Sequence, residues 1–267
     1  MSESAPLYEV YALRYARWRN RMASHWFWTF DLYGEPDHER DMDFFFWLIR
    51  DGERVVLLDC GYDKVRAENR QRYQDDDPVE LLSRFDVRPE DVERVIFSHL
   101  HFDHIGNLEL FPNARFTVAR REYEFWISPY GQVPGIRYAS IPEEIQILKR
   151  FHDEGRVDLV EDEAEVAPGV RVTRVGGHTP GSLLTTVESR GGRLVLASDT
   201  IHYYEEMDKD RPFRLFTDIE EMLDTYGLLR DLAATPGTYV VAGHDPLVQE
   251  RFASVDEQCI DLTRPLG

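Results

Sequence analysis

Cysteine is nearly absent: Cys60 and Cys259 are the only two in 267 residues. That excludes a disulfide framework and a cysteine-rich zinc module. Any metal held here must use histidine and carboxylate. Long apolar runs are missing too. The greasiest stretch, residues 44–49, is flanked by Asp43 and Arg50. It falls far short of the roughly 20 apolar residues that cross a bilayer, so no membrane partner is expected. Positive charge is scarce: 31 Lys and Arg against 50 Asp and Glu leave a net charge of −19. Such a field repels a phosphate backbone, and nucleic acid is not an expected partner. No Ser/Gly-rich linker, low-complexity stretch or repeat divides the chain, so residues 1–267 read as a single domain. The first residues lack a basic region followed by an apolar run, so no secretory signal is expected and the location reads as cytoplasmic.

What is present reads as mixed α and β. Residues 8–15 alternate weakly, 44–49 and 55–59 are short apolar runs, and Asp51-Gly52 between them reads as a hairpin turn. Asp77-Pro78 ahead of Val79, Leu81, Leu82 and Phe85 reads as the N-cap, first-turn proline and apolar face of a helix. Further strands are expected at 95–97, 115–119, 170–175, 183–187, 194–197 and 239–242, with a hairpin turn through Arg190-Gly191-Gly192. Helices are expected at 121–127, 145–152 and 218–232. The last has Asp218 as N-cap and Glu221 placed to close a capping box.

Three of the nine histidines crowd into Ser98-His99-Leu100-His101-Phe102-Asp103-His104, directly after the apolar strand 95–97. Period two points His99 and His101 the same way while the chain is extended, and Asp103 and His104 are expected to open a following helix. Four metal-competent groups in six residues are costly to leave unbound beside a buried strand. Three more polar residues sit at strand exits: His178 after Gly176-Gly177, Asp199 after Ser198, and His244 after Gly243. The glycines let the backbone approach something closely.

His99-Leu100-His101-Phe102-Asp103-His104 resembles the HxHxDH signature of the metallo-β-lactamase superfamily. His178, Asp199 and His244 follow at intervals of 74, 21 and 45 residues, similar to those of its small N-acyl homoserine lactonase-like members. The resemblance implies an α+β fold, an αββα four-layer sandwich, with two zinc ions per chain at the sheet edge. His99, His101 and His178 would hold one zinc; Asp103, His104 and His244 would hold the other, and Asp199 would bridge them. Imidazole and carboxylate suit Zn²⁺, and a zinc-bound water ionises near neutral pH. The implied activity is hydrolysis of a lactone or related carboxylic ester by a metal-bridging hydroxide. Asp103 would orient that hydroxide and pass its proton to the leaving oxygen. Asp59 resembles the family's early aspartate, a buried carboxylate behind the ligands.

Two positions depart from that pattern. The lactone-hydrolysing relatives carry a tyrosine three residues beyond the bridging aspartate, where this chain has His202; either His202 donates to the substrate carbonyl instead, or Tyr203 or Tyr204 swings in, or His202 is a hydrogen-bonded loop residue. Ser182 stands where those relatives often have histidine. The ring-dense segment His25-Trp26-Phe27-Trp28-Thr29-Phe30, with Phe125-Trp126 and Tyr130, would wall a pocket for a small substrate with an apolar or aromatic portion; Trp26 and Trp28 are the candidate contacts. The same rings would equally serve the core or a homodimer interface.

Other activities of the same fold fit less well. With 23 residues after His244, no helical extension of the glutathione-thioesterase kind is expected, and a β-lactamase would carry a secretory signal. Thioester or cyclic amide hydrolysis and a mononuclear iron dioxygenase remain the alternatives, because ligand residues do not fix the metal. A non-catalytic binding module is disfavoured by intact ligands at all seven positions.

Overall fold

The computed structural model describes residues 7–68 and 74–266. One sheet is built from β1 (Glu9–Trp18), β2 (Met42–Arg50), β3 (Val55–Leu58), β4 (Arg94–Ile96), β5 (Arg115–Ala119) and β6 (Val157–Val160). The other holds β7 (Glu163–Ala167), β8 (Val170–Arg174), β9 (Leu183–Ser189), β10 (Gly192–Ser198) and β11 (Thr238–Ala242). Then β12 (Phe252–Ser254) and β13 (Cys259–Pro265) return to the first sheet, giving the orders β12-β13-β1-β2-β3-β4-β5-β6 and β11-β10-β9-β8-β7. Two sheets with helices between their strands agree with the α+β architecture that the resemblance implies.

Burial explains the patterns. Strand β2 reads Met-Asp-Phe-Phe-Phe-Trp-Leu-Ile-Arg without alternation, and its first eight residues are buried. Pairing with β1 and β3 makes it central, and both of its faces are covered. The 15-residue helix Ile219–Ala233 buries Met222, Thr225, Tyr226 and Leu229, a stripe at helical spacing.

The expected elements recur with shifted ends, and the Asp51-Gly52 turn joins β2 to β3. Asp77 caps Pro78–Ser83 by accepting from Val79 N, as its sequence predicted. Asp218 caps Ile219–Ala233 by accepting from Glu220 N and Glu221 N, but the box does not close. The Glu221 carboxylate instead accepts from Gly177 N, one residue ahead of His178. The helix expected to begin at Asp103 is a correction: residues 101–107 form turns, followed by the 3₁₀ segment Leu108–Leu110. Backbone groups there are drawn outward, with Tyr15 donating to Asp103 O, Cys60 N to His104 O and Gly106 N to Gly61 O. Strands β6, β7, β12 and β13 had no counterpart in the sequence reading.

Both sheets deliver their strand ends to one edge. Parallel β3 and β4 finish beside Asp59 and Ser98, and parallel β10 and β11 finish beside Asp199 and Gly243. Leu183 N donates to Ser98 O and Ser198 Oγ to Ser98 Oγ, which ties the two sheets together at that edge.

Gly106 tests how tightly this edge is packed. A Cβ there would stand 2.4 Å from Tyr62 Cα and 2.6 Å from Asp63 N, both backbone atoms. Gly106→Ala should cost about 1–3 kcal/mol in urea unfolding; wild-type stability would show that the turn yields freely.

Candidate metal centre

The left-handed region of backbone space recurs where strands turn into the site. Asp59 has φ 59° at the end of β3, and Ser198 has φ 46° at the end of β10. Non-glycine residues enter that region at a cost, and such strain collects at functional sites. At Ser198 the β10–β11 register also shifts, which turns Asp199 out of the ladder. Gly176 and Gly177 take φ 70° and 85° before His178, a conformation suited to glycine.

The structure brings the seven expected ligand residues together. One atom each from His99, His101, His178 and Asp199 lies within a group 4.8 Å across, and Asp103, His104 and His244 form a second such group. All seven residues are buried. Asp199 faces both groups. Its Oδ1 lies 3.2 Å from His104 Nε2 and 2.9 Å from His244 Nε2. Its Oδ2 lies 3.4 Å from His178 Nε2 and 3.7 Å from His99 Nε2. Asp103 Oδ2 stands 3.6 Å from His104 Nε2 and 3.8 Å from His244 Nε2.

The opposite ring nitrogens are engaged behind the site. His104 Nδ1 donates to Asp59 (2.7 Å), His178 Nδ1 to Leu215 O (2.8 Å) and His244 Nδ1 to Asp43 O (2.7 Å). His99 Nδ1 is 3.0 Å from Ser98 Oγ. A proton fixed on Nδ1 leaves Nε2 as a lone pair, the form a metal takes. His101 is turned the other way, with Nδ1 2.9 Å from His178 Nε2. Nε2 of His99 and His104 and Oδ1 of Asp199 are buried without a hydrogen bond. Buried polar atoms without partners are rare, and this set of imidazole and carboxylate donors fits divalent cations of the zinc type.

Electrostatics agree. Burial, reinforced by neighbouring imidazoles, holds His99 and His178 well below the usual imidazole range. Burial also pushes His101 down to about 3. These rings are neutral donors at neutral pH. Burial opposes charge on His104 as well, but Asp199, Asp103 and Asp59 outweigh it and raise that ring well above the usual value. The carboxylates therefore draw positive charge into the second group.

Above the two groups lies a cavity of about 160 Å³. Trp18, Trp26, Met42, Phe44, Phe102 and Phe213 wall it, with Tyr138 and Leu215 toward solvent. Of the four aromatic contacts expected from sequence, only Trp26 lines it. Tyr203 and Tyr204 are corrections: both side chains are buried, the Tyr203 hydroxyl donating to Asp41 O and the Tyr204 ring lying beneath the Arg251 guanidinium. Trp28 is 46% exposed and stands edge-on to Phe216 outside the cavity. Trp18, Met42, Phe44, Tyr138 and Phe213 were not singled out, because they come from separated segments with no shared motif. Phe102 did carry a signal, inside the histidine cluster.

His202 lines the cavity. Its ring stacks on Phe213 at 3.5 Å, with Nε2 3.0 Å from Asp199 Oδ2 and Nδ1 3.3 Å from Glu206 Oε1. Burial opposes its protonation, yet Asp199 and Glu206 push it up to about 9. Ser182 faces away, its hydroxyl accepting from Thr179 N.

A family model described as the metallo-beta-lactamase superfamily matches residues 45–244. An N-acyl homoserine lactonase from a Bacillus species is 28% identical over 236 residues, spanning 82% of this chain and 88% of that relative. The crystal structure of a quorum-quenching N-acyl homoserine lactone lactonase aligns with a TM-score of 0.74 at 24% identity, covering 94% of this chain and 96% of that one. A dizinc quorum-quenching lactonase in complex with an N-hexanoyl-L-homoserine product aligns at 0.69 and 21% identity, covering 91% and 90%. At those identities the structural likeness speaks to the fold.

Asp59 collects Ser98 N, Ser98 Oγ, Ser198 Oγ and His104 Nδ1 on one buried carboxylate. Asp59→Ala should weaken metal binding about 10–100-fold. Competition against a chromogenic chelator reads this directly; an unchanged affinity would separate Asp59 from the metal centre.

Proposed function

The chain belongs to the metallo-beta-lactamase superfamily, and from that premise we propose that it is a metal-dependent hydrolase that opens lactones, N-acyl homoserine lactones being the first substrates to try. The observation that carries this reading is the pair of buried ligand groups facing one carboxylate, Asp199, on the floor of an apolar cavity. The lactonase names of its relatives support the choice of substrate.

His99, His101 and His178 would hold one cation and Asp103, His104 and His244 the other, with Asp199 shared. When bound, a pair of zinc ions would polarise the substrate carbonyl and supply a nucleophilic hydroxide at neutral pH. The residues supply the rest. Trp26, Phe44 and Phe213 exclude water from the reacting ester and accept an apolar acyl portion. His202, clamped between Phe213 and Glu206, aims Nε2 at the cavity floor and donates a hydrogen bond to the oxygen on which negative charge develops. This is the task of the phenol that the sequence lacks at this position. Asp103 would take the proton of the attacking hydroxide and pass it to the leaving oxygen.

Zinc-loaded protein should hydrolyse acyl-homoserine lactones in a pH-indicator assay, lose that activity to a chelator and regain it with zinc. About two metals per chain with no hydrolysis of lactones, esters or thioesters would turn the reading toward a binding protein. His202→Ala should lower kcat about 10²–10³-fold with metal content unchanged. Loss of metal in that variant would make His202 a ligand instead.

A further inference from the structure

Glu122 is a buried carboxylate that the mechanism does not use, and it stands between the two chain segments that carry the first ligand group. It sits in the first turn of the helix Arg120–Ile127 with no exposed surface. No Lys or Arg pairs with it among the described residues. Its partners are all N–H or O–H donors. Oε1 accepts from Leu100 N at 3.0 Å and from Trp126 Nε1 at 2.7 Å. Oε2 accepts from Gly181 N at 3.0 Å, and the Thr179 side chain also hydrogen-bonds the carboxylate.

Those partners are informative. Leu100 lies between His99 and His101, and Gly181 lies three residues beyond His178. Trp126 stands edge-on to the His101 ring at 5.8 Å. One carboxylate therefore spans the two loops whose histidines must close on a single cation. The contact is tight as well as polar: a Cβ on Gly181 would fall 2.4 Å from Glu122 N and 2.5 Å from Glu122 Cβ. Glycine at 181 is what lets the His178 loop reach the helix.

We propose that Glu122 is a positioning residue that sets the gap between His99–His101 and His178, and so the affinity of the first metal position. The inference rests on the dinuclear reading of the site and assigns this carboxylate a part in it. A carboxylate suits the task because both oxygens only accept, and each faces donors from a different loop. Burial pushes the Glu122 carboxyl up, and its hydrogen bonds pull it back down. Glutamine would turn an N–H₂ toward an N–H and release one loop.

The test uses full-length Glu122→Gln and Glu122→Asp, the second keeping the charge but shortening the reach by one methylene. Metal content after dialysis, stepwise chelator competition and the visible spectrum of cobalt-substituted protein are read beside circular dichroism. Glu122→Gln should lose the first position about 10–100-fold in affinity, leaving close to one metal per chain. The cobalt bands of the three-histidine position should fade while the other bands and the fold stay. Glu122→Asp should shift the same way and carries the test if the glutamine variant does not fold. Two metals of wild-type affinity in a folded variant, or equal loss of both, would overturn the assignment while the dinuclear reading stood. Wild-type protein that binds no metal would overturn both.

Discussion

Asp199 sends one oxygen toward His104 and His244 and the other toward His99 and His178, so one buried anion stands between two sets of imidazole nitrogens. A carboxylate out of water is expensive unless positive charge or hydrogen bonds meet it. Here the surrounding nitrogens are mostly fixed as lone pairs, because their partner nitrogens donate backward to Asp59, Leu215 O and Asp43 O. Such a cluster draws positive charge, and the donor set suits divalent cations. That constraint gives meaning to the rest of the edge: the left-handed turns at Asp59 and Ser198, the paired glycines before His178, and the hydroxyls of Ser98 and Ser198 that join the two sheets.

Both sheets are needed for this arrangement. β3 and β4 bring Asp59 and the histidine cluster from one side; β8, β10 and β11 bring His178, Asp199 and His244 from the other. The central strands are buried on both faces and hold these ends rigidly, while the ligands ride on short turns that backbone hydrogen bonds pin in place. Gly177 shows the economy of the design: its N–H donates to Glu221, and its carbonyl accepts from Thr217 and Asp218, so the start of one helix fixes the residue before a ligand.

The ligand set was legible in the sequence because its signal is local. An apolar strand that breaks into histidine or aspartate can be read within about ten residues, and the intervals between four such breaks matched a known pattern. The cavity walls were not legible in that way. Trp18, Met42, Phe44 and Phe213 are separated in the chain and meet only after the sheets close. Tyr203 and Tyr204 misled for the opposite reason: adjacent to a site residue in sequence, both side chains are buried away from the cavity that His202 lines. β7, Glu-Ala-Glu-Val-Ala, is half-exposed at a sheet edge and carries too little apolar contrast to be seen. The helix expected at Asp103 failed because tertiary partners claim the carbonyls that a helix would use.

Anomalous diffraction at the zinc edge from crystals of the zinc-loaded protein tests the central claim most directly. Two peaks should appear, one among His99, His101 and His178 and one among Asp103, His104 and His244, each within coordination distance of a different oxygen of Asp199. A single peak, or peaks that leave Asp199 touching neither, would contradict the account.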